Sequence, residues 1–488
     1  MAGINSEKDL FKNYPAIYLS SYQGSLTSTT REISNLFDRA NNIAIKKERT
    51  LTQNNFIPTI LFDEMGLAEI SPNNPLKIIH SKLDGKQKIG FIGISNWALD
   101  ASKMNRGITL CIPEPDLNDL ILTANSIAKD INEQIEEISI YREVIQNLAK
   151  SYYEYKKYLE KYYPEYYDIH GARDYYNLIK ISVGRFKNNC GRSLESLAIE
   201  SIERNFSGIE LNKEQNNTTM TSSTKFKQIF LNFQNNAVEN IYNYNIFSCI
   251  ENNLKDNNRY FLLITDNTKN SSLIELILKM LHLNFTFIQG SKLKEDQTED
   301  YVLKKAWSII SLMEKGETIV LKDLETLYPK FYDLFNKNLI TIGNEQFARM
   351  VLDSNTNERH IVNKNFKCLV VLDKDELLKE DPPFLNRFEK HLISFKYLLN
   401  EYQNGLSNNL YQELVEMTSL LQKDKSPLLL NINKEEIRCL LLDLSLKNVP
   451  NNENINLLSE KIAPLFSQEN ILNISYSPKR KYFSQDNF

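Results

Sequence analysis

Residues 59–80 read TILFDEMGLAEISPNNPLKIIH, in which an apolar run leads directly into two adjacent carboxylates. The run is apolar on both faces, as expected of a strand in the middle of a parallel sheet that helices cover. Ligand sites of open parallel sheets lie beyond the carboxyl ends of the strands, and Asp63 and Glu64 occupy such an end. The stretch therefore predicts an α/β fold with an acidic site at the edge of its sheet.

Strands and helices alternate on both sides of this stretch. AIYLSSYQ from Ala16 is typical of a strand, and Thr29 with Glu32 three residues later forms a capping-box pattern that opens a helix. KIGFIGISN from Lys88 predicts a third strand. Such alternation indicates an α/β layer sandwich.

Beyond Asp116 the pattern changes to helices, which continue to about Ile209, with Gly208 as a predicted C′ residue of the last one. The Asn-rich stretch NKEQNNTTMTSSTK from Asn212 is the best candidate for a linker. A helical region followed by a polar linker indicates that one module ends here.

The same order of motifs returns after the linker. Four further strands are predicted: RYFLLITDN, LNFTFIQGS, TIVLKDLE and KCLVVLDKDE. In each half a short helical stretch then ends in an arginine, within MNRG at Arg106 and within LNRF at Arg387. The halves match in order but not in strict period, and we interpret them as two related α/β modules in tandem.

Composition limits the possible functions. The 488 residues carry a net charge of -4 and a pI near 5.9, which argues against a dedicated nucleic-acid surface. The five cysteines stand singly, so reduced core thiols are expected and not zinc ligands: Cys111, Cys190, Cys249, Cys368 and Cys439. The sequence has no run of about 18 apolar residues, so no transmembrane segment is expected, and the cytoplasm is the expected compartment.

The acid pair suits the hydrolysis of a nucleoside triphosphate. This reaction needs one carboxylate to hold Mg²⁺ and, in many ATPases, a second to polarise the attacking water. Asp63 suits the first role and Glu64 the second. Asn96 closes the next strand, so its amide is expected beside Glu64, where it would orient a water or contact the γ-phosphate. Two alternatives stay open: the acids form a solvated strand end, and Asn96 caps the helix WALDASKM.

Arg106 also has two interpretations. An arginine at the end of a short helix is commonly a solvated cation or half of a surface ion pair. In a ring of ATPase modules the same position can reach the nucleotide of a neighbour, where an arginine finger raises the rate by roughly 10³ to 10⁵.

The stretch YYEYKKYLEKYYPEYYDIHGARDYY from Tyr152 interleaves tyrosines with lysines. Single-strand nucleic-acid platforms have this composition, but tyrosine stripes on helices also pack a core. The interspersed Glu154, Glu160 and Glu165 favour packing. No nucleic-acid partner is therefore expected.

Several motifs resemble one known family. FDEMGLAEISPNNPLKIIH, IGFIGISNWALDASKMNRGI and HGARDYYNLIK closely resemble the second hydrolytic AAA+ module of the mysterin-like E3 ubiquitin ligases, giant RING-finger proteins with a dynein-like motor core. RYFLLITDN, TIVLKDLETLYPKFYDLFNKN and DPPFLNRFEKH resemble the degenerate module that follows it. The similarity extends from about Lys8 to about His391.

The resemblance implies ATP and Mg²⁺ as cofactors and gives each site residue a role. Asp63 and Glu64 correspond to the Walker B acids, with Asp63 as the metal ligand. Asn96 corresponds to sensor 1 and Arg173 to the lid arginine of sensor 2, and both would contact the nucleotide with Asp63. As arginine fingers, Arg106 and Arg387 would act across modules, with Arg387 directed at the nucleotide of the first half. The alternative for Arg387 is a local ion pair with Glu389 or Asp381.

The expected architecture is α/β, with two tandem AAA+ modules, each a parallel sheet flanked by helices and followed by a helical lid. Five segments are expected: an α/β subdomain without its P-loop start at 1–115, a lid at 116–211, a linker and connecting segment at 212–255, a degenerate α/β subdomain at 256–391, and a lid or linker region at 392–488.

The phosphate-binding loop is the main departure from the family. No G-x-x-x-x-G-K-[ST] occurs, and among the fifteen glycines only Gly85 is followed by lysine. The backbone amides and lysine of such a loop supply most of the phosphate cradle, so half a nucleotide site is expected here. In the second module DNTKNSS stands at the place of the loop without glycine, and K-D-L-E replaces the adjacent acids, with Asp323 and Glu325 near the Walker B position.

The sequence thus predicts a segment of an ATPase motor core whose partners are other AAA+ modules of the parent ring and, indirectly, the ubiquitin machinery. Ubiquitin transfer itself would lie outside this chain. The alternative is a truncated, non-catalytic AAA+ scaffold that packs or binds partners. A motor acting on nucleic acid is disfavoured by the charge.

Overall fold

A computed structural model gives the structure of the chain in two compact units, Met1–Glu114 with Glu325–Ile361, and Pro115–Leu324 with Val362–Phe488. These are called the first and the second unit. The structure describes residues 14–446 except 26–27, 50–55, 85–87, 134–138, 189–190, 213–218, 235–245, 257, 266–270, 292, 294–295, 297, 354–355, 400 and 422–433. Gly85, Cys190 and most of DNTKNSS therefore lie outside the described residues.

The first unit is built around three parallel strands in the order β1-β2-β3: β1 Ala16–Gln23, β2 Phe56–Asp63 and β3 Gly90–Gly93. The three predicted strands are confirmed. Its buried core includes Ile33 and Phe37 of helix α1 (Thr30–Arg49) and Ile60 and Phe62 of β2. Burial of these apolar side chains holds the helix against the sheet.

The predicted capping box at the start of α1 is confirmed. Thr29 N donates to a Glu32 carboxylate oxygen at 2.7 Å, and Glu32 N donates to Thr29 Oγ1 at 3.4 Å. Together these bonds satisfy two backbone donors that the helix start would leave unpaired.

Three short helices follow the strands of the first unit: α2 Met65–Glu69, α3 Ile79–Leu83 and α4 Ala101–Met104. The helix predicted over WALDASKM is shorter than expected, because Asp100 caps it by accepting from Ser102 N at 3.3 Å. The alternative in which Asn96 caps this helix is therefore wrong.

The part of the first unit contributed by residues 325–361 contains helix α13 and an antiparallel sheet in the order β11-β10-β9. Their bounds are α13 Tyr332–Phe335, β9 Ile340–Ile342, β10 Glu345–Asp353 and β11 Thr356–Ile361.

The second unit begins with helices and a small antiparallel hairpin: α5 Leu117–Ile131, α6 Ser139–Tyr162, α7 Ala172–Lys187, α8 Leu194–Phe206, β4 Glu210–Asn212, β5 Thr219–Thr221, α9 Ser222–Phe233 and α10 Ile246–Asp256. Gly208 follows α8 with a φ of 98°, as predicted for a C′ residue. The described part of the stretch expected as a linker forms the last residue of β4, strand β5 and the start of α9.

The tyrosine-rich stretch lies on α6 and packs inward. Tyr155 is fully buried, with its ring centroid 5.6 Å from that of Phe206 and 5.2 Å from that of Phe226. Tyr152 stacks on Tyr175 at 4.7 Å. The packing interpretation is confirmed for these tyrosines, which a core position makes unavailable for stacking on nucleotide bases.

Five parallel strands form the main sheet of the second unit, in the order β13-β6-β12-β8-β7. Their bounds and those of the two intervening helices are β6 Phe261–Thr265, α11 Ser271–Met280, β7 Phe285–Gln289, α12 Glu299–Lys315, β8 Thr318–Lys322, β12 Lys367–Asp373 and β13 Glu389–Ile393. The first of these strands in the chain lies between the fourth and the fifth, so the sheet is doubly wound. The predicted strands are confirmed.

Four helices complete the described part of the second unit: α14 Pro382–Leu385, α15 Phe395–Leu398, α16 Glu401–Leu421 and α17 Lys434–Leu446. No helix within the described ranges combines the length and the apolar character needed to cross a bilayer.

The cysteines only partly follow the expectation of core thiols. Cys249 and Cys368 are buried and Cys439 is half-buried, all as free thiols. Cys111 is exposed, so the expectation is wrong there, because this residue lies outside any helix or strand in a stretch of exposed residues.

Candidate nucleotide site

The acid pair stands at the carboxyl edge of the first sheet. Asp63 is the last residue of β2, and Glu64 follows with a φ of 49°, in the left-handed region that few non-glycine residues adopt. Glu64 N donates to Asp63 Oδ1 at 2.9 Å, so one carboxylate oxygen of Asp63 holds this sharp turn. Strained backbone of this kind costs about 1–3 kcal/mol and concentrates at functional sites.

The glycine directly after the neighbouring strand makes room for this turn. Gly24 follows β1, and its N–H donates to the carbonyl oxygen of Asp63 at 2.8 Å. A Cβ atom on Gly24 would stand 2.4 Å from the carbonyl oxygen of Glu64, which no side chain could tolerate without moving the backbone. Gly24 was not among the predicted site residues, although a glycine directly after the strand that ends in Gln23 is a signal for it.

The structure places Asn96 beside Glu64, as the sequence predicts. The Asn96 Nδ2 donates to Glu64 Oε2 at 3.0 Å. This bond holds one carboxylate oxygen of Glu64 in a fixed direction, while Asp63 lies next to it on the same sheet edge. The side chains of Asn96 and Glu64 are thus in contact next to Asp63. The roles of all three residues in hydrolysis stay predictions.

Arg106 lies two residues after α4 and forms local bonds. Its Nε is 3.3 Å from Asp84 Oδ1, and its Nη1 donates to the carbonyl oxygen of Ser102. Both partners belong to the first unit, and exposed pairs of this kind contribute about 0–1 kcal/mol. A finger role would require the arginine to leave this weak pair.

The two parallel sheets match residue by residue at their carboxyl edges. Gln23 lies opposite Asp63 across β1 and β2, and Gln289 lies opposite Lys322 across β7 and β8. In each sheet the glycine after the glutamine donates to the carbonyl oxygen of the opposite residue at 2.8 Å. The residue after Asp63 and the residue after Lys322 both have a positive φ, 49° at Glu64 and 54° at Asp323.

This register corrects the expectation for the second module. Asp323 occupies the position of Glu64, and Lys322 occupies the position of the metal-ligand candidate Asp63. Lys322 is only 6% exposed. An ammonium at this position repels a divalent cation, whereas a carboxylate attracts it.

The register extends to the next strand. Phe62 pairs with Gly93, and the matching Leu321 pairs with Val370. Asn96 lies three residues after Gly93, and Asp373 lies three residues after Val370. Asp373 therefore stands at the position of Asn96. The second sheet therefore has Lys322 in place of Asp63 and Asp373 in place of Asn96, and only the carboxylate at the Glu64 position is kept, as Asp323.

Arg173 and Arg387 both lie in the second unit. Arg173 is an exposed residue in the first turn of α7. Arg387 follows α14 and is 4% exposed. The Glu389 carboxylate accepts from Arg204 Nε at 2.9 Å and Nη2 at 3.1 Å, and from Asn253 at 2.6 Å. A local pair of Arg387 with Glu389 or Asp381 stays the alternative to the finger role.

His170, next to Arg173 in the HGARDYY motif, is a structural residue. Its Nε2 lies 2.9 Å from the carbonyl oxygen of Ser207 and its Nδ1 lies 2.8 Å from the hydroxyl of Tyr155. Both contacts are satisfied by the neutral ring with the proton on Nε2. Burial, followed by the charge of Lys390, lowers the pKa of His170 to about 3, so this ring is neutral at pH 7.

Comparison with known proteins gives the family context. Two family profiles, both described as RNF213 AAA domain, match residues 1–119 and 251–399. E3 ubiquitin-protein ligase rnf213-beta of Danio rerio is 29% identical over 437 residues, which cover 86% of this chain and 8% of the relative. E3 ubiquitin-protein ligase RNF213 of Homo sapiens is 28% identical over 426 residues, covering 84% of this chain and 8% of the relative.

The chain thus spans about 8% of the length of these relatives. A solved closed state of Hsp104 with ATPyS and FITC casein covers 91% of this chain at 11% identity, but its TM-score of 0.22 is too low to bear on the fold. The two matched regions contain the two parallel sheets. The chain therefore belongs to the RNF213-like (mysterin-like) AAA+ proteins and carries two of their AAA modules in tandem.

Proposed function

We propose that the first module contributes the hydrolytic half of a Mg²⁺–ATP site. Asp63 would bind the metal, Glu64 would polarise the attacking water, and Asn96 would hold Glu64 in position. The observation that carries this proposal is the bond of 3.0 Å between Asn96 Nδ2 and Glu64 Oε2, beside Asp63 on the same sheet edge. A solvated strand end needs neither this bond nor the strained turn at Glu64.

The residues present fit the metal and only part of the nucleotide. Mg²⁺ in nucleotide sites takes one or two carboxylates together with phosphate oxygens and waters, and Asp63 suits that donor set. When bound, the ion would neutralise the charge that develops on the transferred phosphoryl group. The sequence contains no phosphate-loop motif. Strand β12 of the second sheet corresponds to β3 of the first, and β6 lies beside β12. In the described part of the first unit β3 is instead an edge strand, with no strand at the position of β6.

The second module is proposed as a non-hydrolytic neighbour. Lys322 stands at the position of the metal ligand, and Asp373 replaces the amide of Asn96. A module with these replacements can still present an arginine to a nucleotide bound by a neighbouring module. Arg387 is proposed for that role and Arg173 for a contact to nucleotide, although Arg387, at 4% exposure, would have to turn outward.

The whole-protein activity is proposed by likeness alone. The relatives are named E3 ubiquitin-protein ligases, and this chain has no C-x-x-C pair that would begin a zinc framework. Ubiquitin transfer is therefore assigned to regions outside these 488 residues, with further AAA+ modules as the partners of this segment and the cytoplasm as its compartment. The second candidate is a non-catalytic scaffold, which the missing phosphate loop and Lys322 favour.

The test uses this chain preceded by a strand, phosphate loop and helix from a relative's AAA domain, called here the P-loop fusion. Glu64→Gln should leave ATP affinity unchanged and lower kcat by roughly 10² or more, as expected for loss of a general base. Glu345→Gln, an exposed substitution in the same unit, is the matched control. Normal turnover by the Glu64→Gln fusion would return this residue to the solvated strand end. ATP binding without hydrolysis by the unsubstituted fusion would favour the scaffold.

A further inference from the structure

Two motifs from different halves of the sequence meet inside the second unit. Gly171 of HGARDYY donates its N–H to Asn386 Oδ1 at 3.3 Å, and Asn386 Nδ2 donates to the carbonyl oxygen of Asp168 at 3.1 Å. A Cβ atom on Gly171 would stand 2.7 Å from Asn386 Nδ2. A side chain at position 171 would therefore push the Asn386 amide away from its two hydrogen-bond partners.

Arg259 joins the same helix to the backbone of the arginine turn. Its Nη1 donates to Asp174 Oδ1 at 2.8 Å. Its other nitrogens donate to the carbonyl oxygens of Asn386, through Nη2, and of Arg387, through Nε at 3.3 Å. One planar guanidinium thus fixes both the start of α7 and the main chain at Arg387.

Asp174 forms the ionic centre of this arrangement. Its fully buried carboxylate accepts from Lys390 Nζ at 2.9 and 3.0 Å and from Gly171 N at 3.0 Å. Burial alone would raise the pKa of Asp174, but the charges of Lys390 and Arg259 outweigh it and lower that pKa. The carboxylate is therefore ionised at pH 7 and fully bonded. Buried ion pairs add little net stability, but they favour one specific arrangement over its alternatives in some proteins.

We propose that Gly171, Asp174, Arg259, Asn386 and Lys390 form a positioning device, called here the α7 clamp. The clamp fixes the turn that carries Arg387 to the helix that carries Arg173, so that a shift of α7 moves Arg387. Asp174 and Asn386 are positioning residues, since neither is assigned a contact to nucleotide. This inference rests on the proposed function in its choice of Arg173 and Arg387 as the groups that are coupled.

The coupling has a short path. Arg173 and Asp174 are adjacent in the first turn of α7, and Asn386 and Arg387 are adjacent in the turn after α14. A displacement at Arg173 therefore reaches Arg387 through Asp174, Arg259 and the backbone carbonyls that Arg259 holds. The simpler alternative is that these contacts only stabilise the second unit.

The first experiment tests the clamp in the 488-residue chain without nucleotide. Gly171→Ala pushes the Asn386 amide away, and Asn386→Ala removes both of its side-chain hydrogen bonds. The matched control is Gly184→Ala on the same helix, where an added Cβ meets nothing within 4 Å. Hydrogen exchange is measured at Arg387 N and Phe388 N, which donate to Phe384 O and Leu385 O.

Exchange at these two amides should be roughly 5- to 30-fold faster in Gly171→Ala and Asn386→Ala, the factor expected for the loss of one or two net hydrogen bonds. It should be unchanged in Gly184→Ala. Amides of β6 and β8 serve as the reference for global stability. Unchanged exchange at Arg387 and Phe388, or an equal increase in β6 and β8, would overturn the clamp.

The second experiment separates the clamp from the finger by using the P-loop fusion. Asn386→Ala should lower kcat with KM for ATP unchanged, and adding Asn386→Ala to Arg387→Ala should lower kcat no further, because both act through one group. Additive losses would contradict coupling through Arg387. Normal turnover by Arg387→Ala would refute the finger, while the exchange result still decides whether the clamp exists.

Discussion

Glu389→Gln is the substitution whose cost the structure defines most sharply. Glu389 opens β13 and is fully buried, with its carboxylate held by Arg204 Nε at 2.9 Å, Arg204 Nη2 at 3.1 Å and Asn253 Nδ2 at 2.6 Å. Arg204 is itself fully buried and also pairs with Asp256. Glutamine keeps the shape of the side chain but replaces one oxygen acceptor with an NH₂ donor that faces the donors of Arg204.

The pKa of Glu389 gives a magnitude for this interaction. Burial by itself raises the pKa, but the charge of Arg204 and the hydrogen bonds from His391 and Arg204 outweigh it and lower the pKa from 4.5 to about 2. This difference corresponds to about 3 kcal/mol of stability at neutral pH. In other proteins the removal of one partner of a buried ion pair costs about 3–5 kcal/mol of stability, which agrees with the value from the pKa.

The sign of the pH dependence follows from the lowered pKa. The stabilising contribution of Glu389 is fully present above pH 4.5, the pKa in the unfolded chain, and it is lost as the pH falls toward the folded value of about 2. Between pH 6 and pH 3 the wild type should lose about 2 kcal/mol that the glutamine variant does not lose. The stability gap between the two proteins should shrink accordingly.

The assay is urea unfolding of the full chain with a tryptophan signal that reports on the second unit alone. The chain has two tryptophans, Trp97 in the first unit and Trp307 on α12 in the second, so Trp97→Phe leaves one reporter in the second unit. Glu389→Gln in this background should lower the free energy of unfolding by about 3–5 kcal/mol at pH 7. The exposed Glu251→Gln on α10 should change it by less than about 0.5 kcal/mol. A loss below about 1 kcal/mol, or a gap that is constant from pH 6 to pH 3, would refute the reasoning.

Three further predictions address other residues. The pKa of His170 is about 3 in the folded state and 6.5 in the unfolded state, so the second unit should lose about 2 kcal/mol of stability between pH 7 and pH 5. Urea unfolding of the His170→Gln variant should not show this loss. Because the sequence lacks a phosphate loop, the 488-residue chain should bind ATP with a Kd on the order of 10⁻³ M; calorimetry giving a micromolar value would contradict this. In the P-loop fusion Arg387→Ala should lower kcat by roughly 10³ at nearly unchanged melting temperature, whereas ordinary turnover would exclude the finger.

The local order of elements was readable from the sequence. The strand ending in Asp63, the capping box at Thr29 and Glu32, and the repeated strand order of the two halves are set by apolar periodicity and by side chains that bond their own backbone, so a short window of residues suffices. The position of Asn96 beside Glu64 was also predictable, because adjacent parallel strands bring their carboxyl ends to one edge.

Register and burial were decided only by the tertiary structure. The family resemblance placed Asp323 and Glu325 near the Walker B position of the second module, whereas the pairing of β7 with β8 places Lys322 at the position of Asp63 and Asp323 at that of Glu64. Register depends on hydrogen bonds between strands that are distant in the sequence, and a shift of one residue exchanges the faces of the strand. Spacing along one strand cannot determine it.

Buried charged residues show most clearly what the sequence alone does not determine. Asp174, Lys390 and Glu389 look like surface residues in the sequence, since charged side chains are almost never fully buried unless they are paired. Their partners Arg259 and Arg204 lie far away in the chain, and only folding brings them within hydrogen-bond distance. The sequence by itself therefore determined the two modules and the acid pair, and the tertiary structure decided which charges pair inside them, because pairing depends on distances that no local pattern encodes.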